Sequence, residues 1–350
     1  MVGQSCDEEL CRAFADLGFV TASNKLIPVL RQAGKAAKVS DITVLLEGET
    51  GTGKQVLAYA IHKLDQKRKS FAFVTVHCGT INEALAESEF FGHERGAFSG
   101  AAIARKGLFQ TAHRGTLFLD DVNDLPPALQ PKLLDVLQRN VVRAVGSDRE
   151  VPVDIRIISA CNRPLMPLVQ QNRFRADLYH RLNVVKLSMP PLRERLQDLP
   201  ALMLAFAGRH KHIYPGITSV DPELIQFLER QPFEGNVREL EHAVERMLFG
   251  KTDGSSLKLS DWMAYCGENG GPLRDWIGEA ADRLSNAIFE CRLPYVQAIQ
   301  QIEARVLEIA LSRGGQTRRQ IAAGLQTSER TLYHKMRVHR MRHLDADPAS

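Results

Sequence analysis

No Cys-x-x-Cys pair occurs among Cys6, Cys11, Cys78, Cys161, Cys266 and Cys291. That absence argues against a zinc site or a disulfide frame and for a reducing compartment. Cys78 and Cys161 end apolar runs, where a small buried hydrophobe is the expected role. No apolar run is long enough to span a bilayer, and Met1 to Leu10 is polar and acidic, unlike a secretory leader. The chain therefore reads as a soluble cytoplasmic protein with no membrane partner. Charge of one sign is scarce too, since 45 Lys and Arg oppose 41 Asp and Glu for a net +4. The small excess is concentrated: between Arg313 and Arg342 stand Arg318, Arg319, Arg330, Lys335, Arg337 and Arg340 against the single acid Glu329. Such a block fits nucleic acid or, more simply, a solvated charged face. With 44% apolar and 25% charged residues, 350 residues can fill two or three domains with sizeable cores.

The most informative stretch is Gly48-Glu49-Thr50-Gly51-Thr52-Gly53-Lys54. Before it, Ile42 to Leu46 is a compact aliphatic run with the composition of a buried strand. After it, Val56, Leu57, Ala60, Ile61 and Leu64 share one helical face. Strand, glycine loop and helix form the setting of a phosphate-binding loop. Its glycines let backbone N–H groups surround a β-phosphate at a helix N-terminus, and Lys54 adds a point charge for the β- and γ-phosphates. Gln55 stands where the general pattern has Ser or Thr for magnesium, so carboxylates elsewhere must hold the metal. Further strands are expected at Phe71–Val76, Thr116–Leu119, Ile155–Ser159 and Val184–Leu187, with a helix over Lys25–Lys38. Strands alternating with helices imply a mainly parallel sheet covered on both faces. Asp120 and Asp121 then lie at the C-terminal end of a buried strand, where an open α/β sheet holds its ligand. Asp120 is the expected magnesium ligand, and Asp121 would position or deprotonate an attacking water. A paired Asp capping the next helix is the alternative.

A second short stretch, Gly96-Ala97-Phe98-Ser99-Gly100-Ala101, has no catalytic group and follows Glu87-Ser88-Glu89-Phe90-Phe91-Gly92-His93-Glu94-Arg95. From about Leu17 to Phe249 the chain resembles the bacterial enhancer-binding proteins, activators of sigma-54 RNA polymerase that carry an AAA+ ATPase. The Gly96–Ala101 stretch is similar to the family's signature loop, which touches sigma-54; Ser99 replaces the usual Thr. By the same resemblance Asp154 to Arg163 is sensor I, with Asn162 reading the γ-phosphate. Phe174 to Asn183 carries the arginine fingers, Arg175 and Arg181, directed at a neighbouring subunit's nucleotide. Gly235 to Leu240 is sensor II, with Arg238 on the nucleotide, and Pro190 to Arg195 turns into a helical lid. Three further departures lie closer to the chemistry: Asp121 is usually Glu, His77 is usually an Asn that restrains that Glu, and Ala144 is usually Arg. Compensation of the shorter Asp121 by the longer His77 is the expectation, which adds His77 to the catalytic set.

Gly250 to Gly271 is rich in Gly, Ser and Asp and reads as a linker, and Asp275 to Glu290 has helical spacing. A helix through Ile302, Val306, Ile309 and Ala310 is broken at Gly314-Gly315, followed by a short helix Thr317–Gly324 and a third begun by the N-cap Ser328. This is a helix-turn-helix pattern, or else a helical hairpin used for oligomerisation. It resembles the Fis-type DNA-binding domain of the same activators. That implies Glu329, Arg330, Thr331, His334 and Lys335 facing DNA, Arg318 and Arg319 on phosphates, and Leu332 and Met336 in the core.

The expected fold is α/β, an AAA+ P-loop NTPase with a parallel sheet and helical lid, followed by a small all-α helix-turn-helix domain. The expected parts are a short extension (1–20), the α/β ATPase subdomain (21–190), the lid (191–250), a linker with a helical segment (251–295) and the DNA-binding domain (296–345). No receiver domain is expected before the ATPase, so control would come from expression, a ligand or a regulatory protein acting in trans. The resemblance implies ATP and Mg2+ as cofactors, double-stranded enhancer DNA and sigma-54 polymerase as partners, and self-association from dimer to hexamer. A regulator with an impaired ATPase acting through nucleotide binding is the alternative; an unfoldase or clamp-loading AAA+ machine is disfavoured by the Gly96–Ala101 loop and the helix-turn-helix pattern.

Overall fold

The computed structural model describes residues 2–81, 83–269, 294–312, 317–325 and 327–339. The chain divides into two compact units, residues 1–265 and 266–350. Unit one is built on a five-stranded sheet of β1 (Val44–Glu47), β2 (Phe73–His77), β3 (Thr116–Asp120), β4 (Arg156–Cys161) and β5 (Val185–Ser188). Its order is β2-β3-β4-β1-β5 and every pairing is parallel. All five expected strands form, each displaced by up to two residues toward its C-terminal side. That displacement matters at β2, where His77 becomes part of the strand and the register partner of Asp120.

Side chains alternate across the sheet, as a period of two requires. Leu45, Leu117, Leu119, Ile157 and Cys161 face one apolar core with Phe90, Phe109 and Leu133. Val44, Leu46, Phe118, Ile158 and Ala160 face the other, with Leu30, Leu57 and Ile61. Helices α1 (Val2–Ala15), α2 (Ile27–Ala37) and α3 (Lys54–Leu64) cover the second face, and α4 (Glu83–Phe91), α5 (Gln130–Arg139) and α6 (Ala176–Leu182) the first. The expected extension at 1–20 is thus part of the fold: Phe14 and Phe19 are buried in the core. Arg156 and Asp65 form a fully buried ion pair at 2.7 Å, and a second Arg156 nitrogen donates to Ala36 O at 2.8 Å. Removing either partner would leave a buried charge alone.

The lid comprises α7 (Leu199–Arg209), α8 (Pro222–Leu228), α9 (Asn236–Gly250) and α10 (Leu259–Asn269). Here the expected linker gives way to structure. Ser256–Leu257 pairs in parallel with Ser219–Val220, Leu257 and Trp262 are buried, and the Trp262 ring meets Phe227 at 6.1 Å. The turn composition at Thr252 to Ser255 marks a tight connection, whereas Leu257 and Trp262 supply apolar surface that the lid buries. The helical spacing expected at Asp275–Glu290 and the break at Gly314-Gly315 lie outside the described residues. No helix among the described residues is long and apolar enough to cross a membrane.

Unit two contains α11 (Tyr295–Ser312), α12 (Arg318–Gly324) and α13 (Glu329–Val338). Thr317 and Gln320 form a capping box for α12, and Ser328 caps α13 by accepting from Thr331 N. Leu307, Ile321, Ala322, Leu332 and Met336 make a common core. Leu332 and Met336 thus occupy the inward face that their spacing of four predicts.

Candidate functional site

Gly51 and Gly53 adopt left-handed backbone conformations, φ +78° and +100°, that favour glycine. They turn the loop so that α3 begins at Lys54 with its first-turn N–H groups at the loop's concave side. Gly51 is constrained twice, because a Cβ there would lie 2.1 Å from Gly235 O at the foot of lid helix α9. Gly51 O accepts from Val237 N at 3.0 Å and Arg238 N at 3.3 Å, so the lid docks on the loop backbone itself.

A pocket of about 330 Å3 opens beside this loop. At one end it is lined by Thr50 to Gln55 with His77, Asp120, Asp121 and Arg238. At the other it is lined by Gly18, Phe19, Val20, Leu202, Phe206 and Arg209. Polar groups gather at the phosphate loop, and Phe19, Val20, Leu202 and Phe206 supply an apolar stretch beside the Arg209–Glu241 ion pair, the outline of a site for a phosphorylated aromatic base. Lys54 is buried, and its Nζ donates to Gly48 O at 2.7 Å and Glu49 O at 2.9 Å. Burial depresses its pKa, and the Asp120 and Asp121 carboxylates pull the other way. Asp121 sits at φ +52°, a conformation unusual for a non-glycine residue. Burial and then the neighbouring Asp120 charge raise its pKa, which strengthens it as a base. Gln55 reaches the pocket, while Thr52 Oγ1 donates back to Glu49 O at 2.8 Å.

Some expected residues lie elsewhere. His77 Nδ1 is 3.1 Å from Asp120 Oδ2, so its partner is the first acid of the pair and not Asp121. The cause is the parallel register, which sets His77 beside Asp120, while Asp121 turns away after the strand ends. Glu49 points from the pocket to the lid: Arg193 donates to both its oxygens at 2.8 and 2.6 Å, and Asn236 Nδ2 lies at 3.2 Å. Those partners, Arg193 first, pull its pKa down to about 2. Asn162 lies outside the pocket wall; its N–H donates to Asn123 Oδ1 at 3.3 Å. Arg175 is held by Asp177 at 2.7 Å and Arg181 by Leu137 O at 2.7 Å, both away from this chain's own pocket. Arg143, beside Ala144, pairs with Glu150 at 3.1 Å.

The Gly96–Ala101 loop is closed on itself by Gly96 N to Ala101 O at 2.8 Å and Ala101 N to Phe98 O at 3.0 Å. Gly96 and Gly100 are left-handed, with open space where a Cβ would stand. Phe98 is 38% exposed and packs edge-on against the His93 ring at 5.1 Å. His93 is fixed on both sides, by Ser88 Oγ at 2.7 Å and Ile103 O at 3.0 Å.

In unit two, Glu329, Arg330, Thr331 and His334 are exposed on α13, and Arg319 is exposed on α12, whose first residue is Arg318. Lys335 differs from expectation: it pairs with Glu303 of α11, whose other oxygen is 3.0 Å from His339 Nε2. A lysine needs acidic company when its stem is drawn toward the core, and Glu303 is absent from the local pattern around residue 335. The features missed from sequence are the apolar slot and the buried Arg195 beside it. They come from segments near residues 18, 195 and 206, and no local signature links them.

Residues 19–188 match the family profile of the Sigma-54 interaction domain, and residues 193–271 that of an AAA+ ATPase lid domain. The chain is 36% identical over 329 residues to the transcriptional regulatory protein ZraR of Salmonella typhimurium, covering 92% of this chain and 69% of ZraR. It is 45% identical to the DNA-binding transcriptional activator HyfR of Escherichia coli over 68% of this chain and 35% of HyfR. It is 47% identical to the Nif-specific regulatory protein of Herbaspirillum seropedicae over 58% of this chain and 38% of that protein. The chain thus spans little more than a third of these last two relatives. The crystal structure of NtrX from Brucella abortus in complex with ATP superposes with a TM-score of 0.62 at 27% identity, covering 92% of this chain and 69% of NtrX.

Proposed function

The chain belongs to the sigma-54-dependent transcriptional activators with an AAA+ fold, and from that membership we propose that it binds and hydrolyses ATP to remodel sigma-54 RNA polymerase at promoters whose upstream enhancer DNA it occupies. One observation carries the reading: Lys54, Asp120, Asp121 and Arg238 converge on a single pocket of the unit that also carries the Phe98 loop. Polymerase and enhancer DNA put the working site in the cytoplasm.

The loop amides of Thr50 to Lys54 and the Lys54 ammonium bind the phosphates, Arg238 approaches from the lid, and the slot at Phe19, Leu202 and Phe206 takes the base. Asp120 suits magnesium, which favours one or two carboxylates together with substrate phosphates over an all-protein cage. When bound, that ion neutralises charge on the transferring phosphoryl group. Asp121, its basicity raised by burial, orients and deprotonates the attacking water, and Asp120 holds the metal with His77 against its second oxygen. Asn162 senses the γ-phosphate from the end of β4. Arg175 and Arg181 act on a neighbouring protomer's nucleotide, which their position away from their own pocket supports and which makes turnover depend on a ring, here a hexamer. Gly96 to Ala101 contacts sigma-54 through Phe98.

Unit two serves as the DNA-binding domain, with Ser328, Arg330, Thr331 and His334 at the major groove, Arg318 and Arg319 at phosphates, and Lys335 in a secondary role. Tyr295, Ile299, Ile302 and Val306 of α11 are exposed at heptad spacing, which supports dimer formation through that helix. Open-complex formation with purified sigma-54 polymerase on a linear promoter tests the proposal. An ATPase-competent protein that opens no promoter refutes it. The rival, nucleotide binding without turnover, is favoured by Asp121 and by the diversion of His77 to Asp120; undetectable ATPase in the presence of DNA would establish it.

A further inference from the structure

Asp198 occupies the N-cap position of α7 yet accepts no hydrogen bond from that helix. An aspartate there ordinarily caps the first turn. Instead its Oδ1 takes Thr21 Oγ1 at 2.8 Å, Ala22 N at 2.6 Å and Ser23 N at 2.8 Å, from a segment 175–177 residues away. Its Oδ2 takes Arg195 Nη1 at 3.3 Å, and Arg195 Nη2 donates to Thr52 O at 2.7 Å. Asp198 is fully buried, and Arg195, Ser23 and Thr52 are 1–3% exposed.

Three walls of the nucleotide pocket meet at this pair. The phosphate loop is held at Thr52, and the segment that begins with Gly18, Phe19 and Val20 is held at Thr21 to Ser23. The helix bearing Leu202, Phe206 and Arg209 starts at Leu199, directly after Asp198. On the reading that the pocket takes ATP, we infer that Arg195 and Asp198 are positioning residues that fix the distance between the base slot and the phosphate loop, and so set the preference for a nucleotide over a bare polyphosphate. Asp198 stands behind the pocket lining, and Arg195, at its edge, has its guanidinium engaged by Thr52 O and Asp198. Hydrogen bonds to a charged group are stronger than neutral ones, and five such contacts centred on the buried Arg195 and Asp198 hold the two half-sites at one span. A ligand carrying both phosphates and base gains from that span; one carrying only phosphates is indifferent to it.

The test is calorimetric titration of the full chain with ATP and, separately, with inorganic tripolyphosphate, on wild type, Asp198→Asn, Arg195→Lys and Thr21→Val. Asp198→Asn keeps the shape while withdrawing the charge opposite Arg195, so the ATP Kd rises about tenfold to a hundredfold with the tripolyphosphate Kd unchanged. Arg195→Lys moves ATP binding in the same direction, since one ammonium cannot span Thr52 O and Asp198 together. Thr21→Val leaves the ion pair intact and keeps the test open if the buried variants do not fold; it raises the ATP Kd about threefold. Parallel loss of both ligands, or unchanged ATP binding in folded variants, overturns the inference while leaving the ATP reading intact. A wild type that binds ATP no better than tripolyphosphate defeats the ATP reading and this inference with it.

Discussion

His77 Nδ1 lies 3.1 Å from Asp120 Oδ2, the two being register partners at the ends of neighbouring parallel strands. The carboxylate proposed to hold the metal therefore carries an imidazole on one oxygen, while the proposed water-activating Asp121 feels that imidazole only through space. Any compensation of the short Asp121 by His77 then acts through the field of the imidazole and not through a direct hydrogen bond. The double-mutant cycle of His77→Asn and Asp121→Glu should be additive in log kcat, with an interaction term below about 0.5 kcal/mol. ATPase assays on the four proteins check this. The His77→Asn change should show instead in the magnesium concentration needed for half-maximal rate.

Gly51 cannot accept a side chain without displacing the lid. Gly51→Ala combines a left-handed φ of +78° with a Cβ 2.1 Å from Gly235 O. It should lower stability by about 3 kcal/mol or more and abolish nucleotide protection against thermal unfolding. Scanning calorimetry with and without ATP measures both.

His62 is fully buried, with Nδ1 3.0 Å from Thr116 Oγ1 and Nε2 without a partner. Burial lowers its pKa from 6.5 to about 4. Between those values the unfolded chain binds the extra proton, so this residue's contribution is complete above pH 6.5 and is lost as pH falls toward 4. The loss is on the order of 3 kcal/mol. In His62→Phe the dependence of urea-unfolding free energy on pH should flatten across that window.

Phe98→Ala removes the exposed ring of the Gly96–Ala101 loop, and the loop closes through backbone hydrogen bonds that the change leaves in place. ATP hydrolysis should stay within about twofold of wild type, on the order of 0.4 kcal/mol in barrier, while open-complex formation falls to background. Normal activation by this variant would remove the loop from the proposed function.

Arg330 and Lys335 of α13 should behave differently on DNA. Arg330→Ala is expected to weaken binding and reduce the salt slope by about one. Lys335→Ala should have a smaller effect, because Glu303 already engages that ammonium. Gel-shift titrations at several salt concentrations separate the two.

The phosphate loop and the capped helices of unit two were legible because their chemistry is local. Glycines at 51 and 53, Lys54, the Thr317–Gln320 box and Ser328 all act within a few residues of themselves. The diversions of His77, Glu49 and Lys335 were not legible, because each depends on a partner at least 32 residues away brought near by strand register or helix packing. The false linker had the same origin. Thr252 to Ser255 is turn-like by composition, but only the folded lid reveals why Leu257 and Trp262 are apolar. The base slot draws on three distant segments and has no sequence signature of its own.

Gly51 and Gly235 bring the phosphate loop and the foot of helix α9 into direct backbone contact. Helix α9 rises from that point for 15 residues, a rod of about 22 Å. A tilt of roughly ten degrees at the phosphate loop would carry its far end, where Phe249 stands 85% exposed, through about 4 Å. Any such tilt at the loop would be largest at Phe249, at the far end of the same helix.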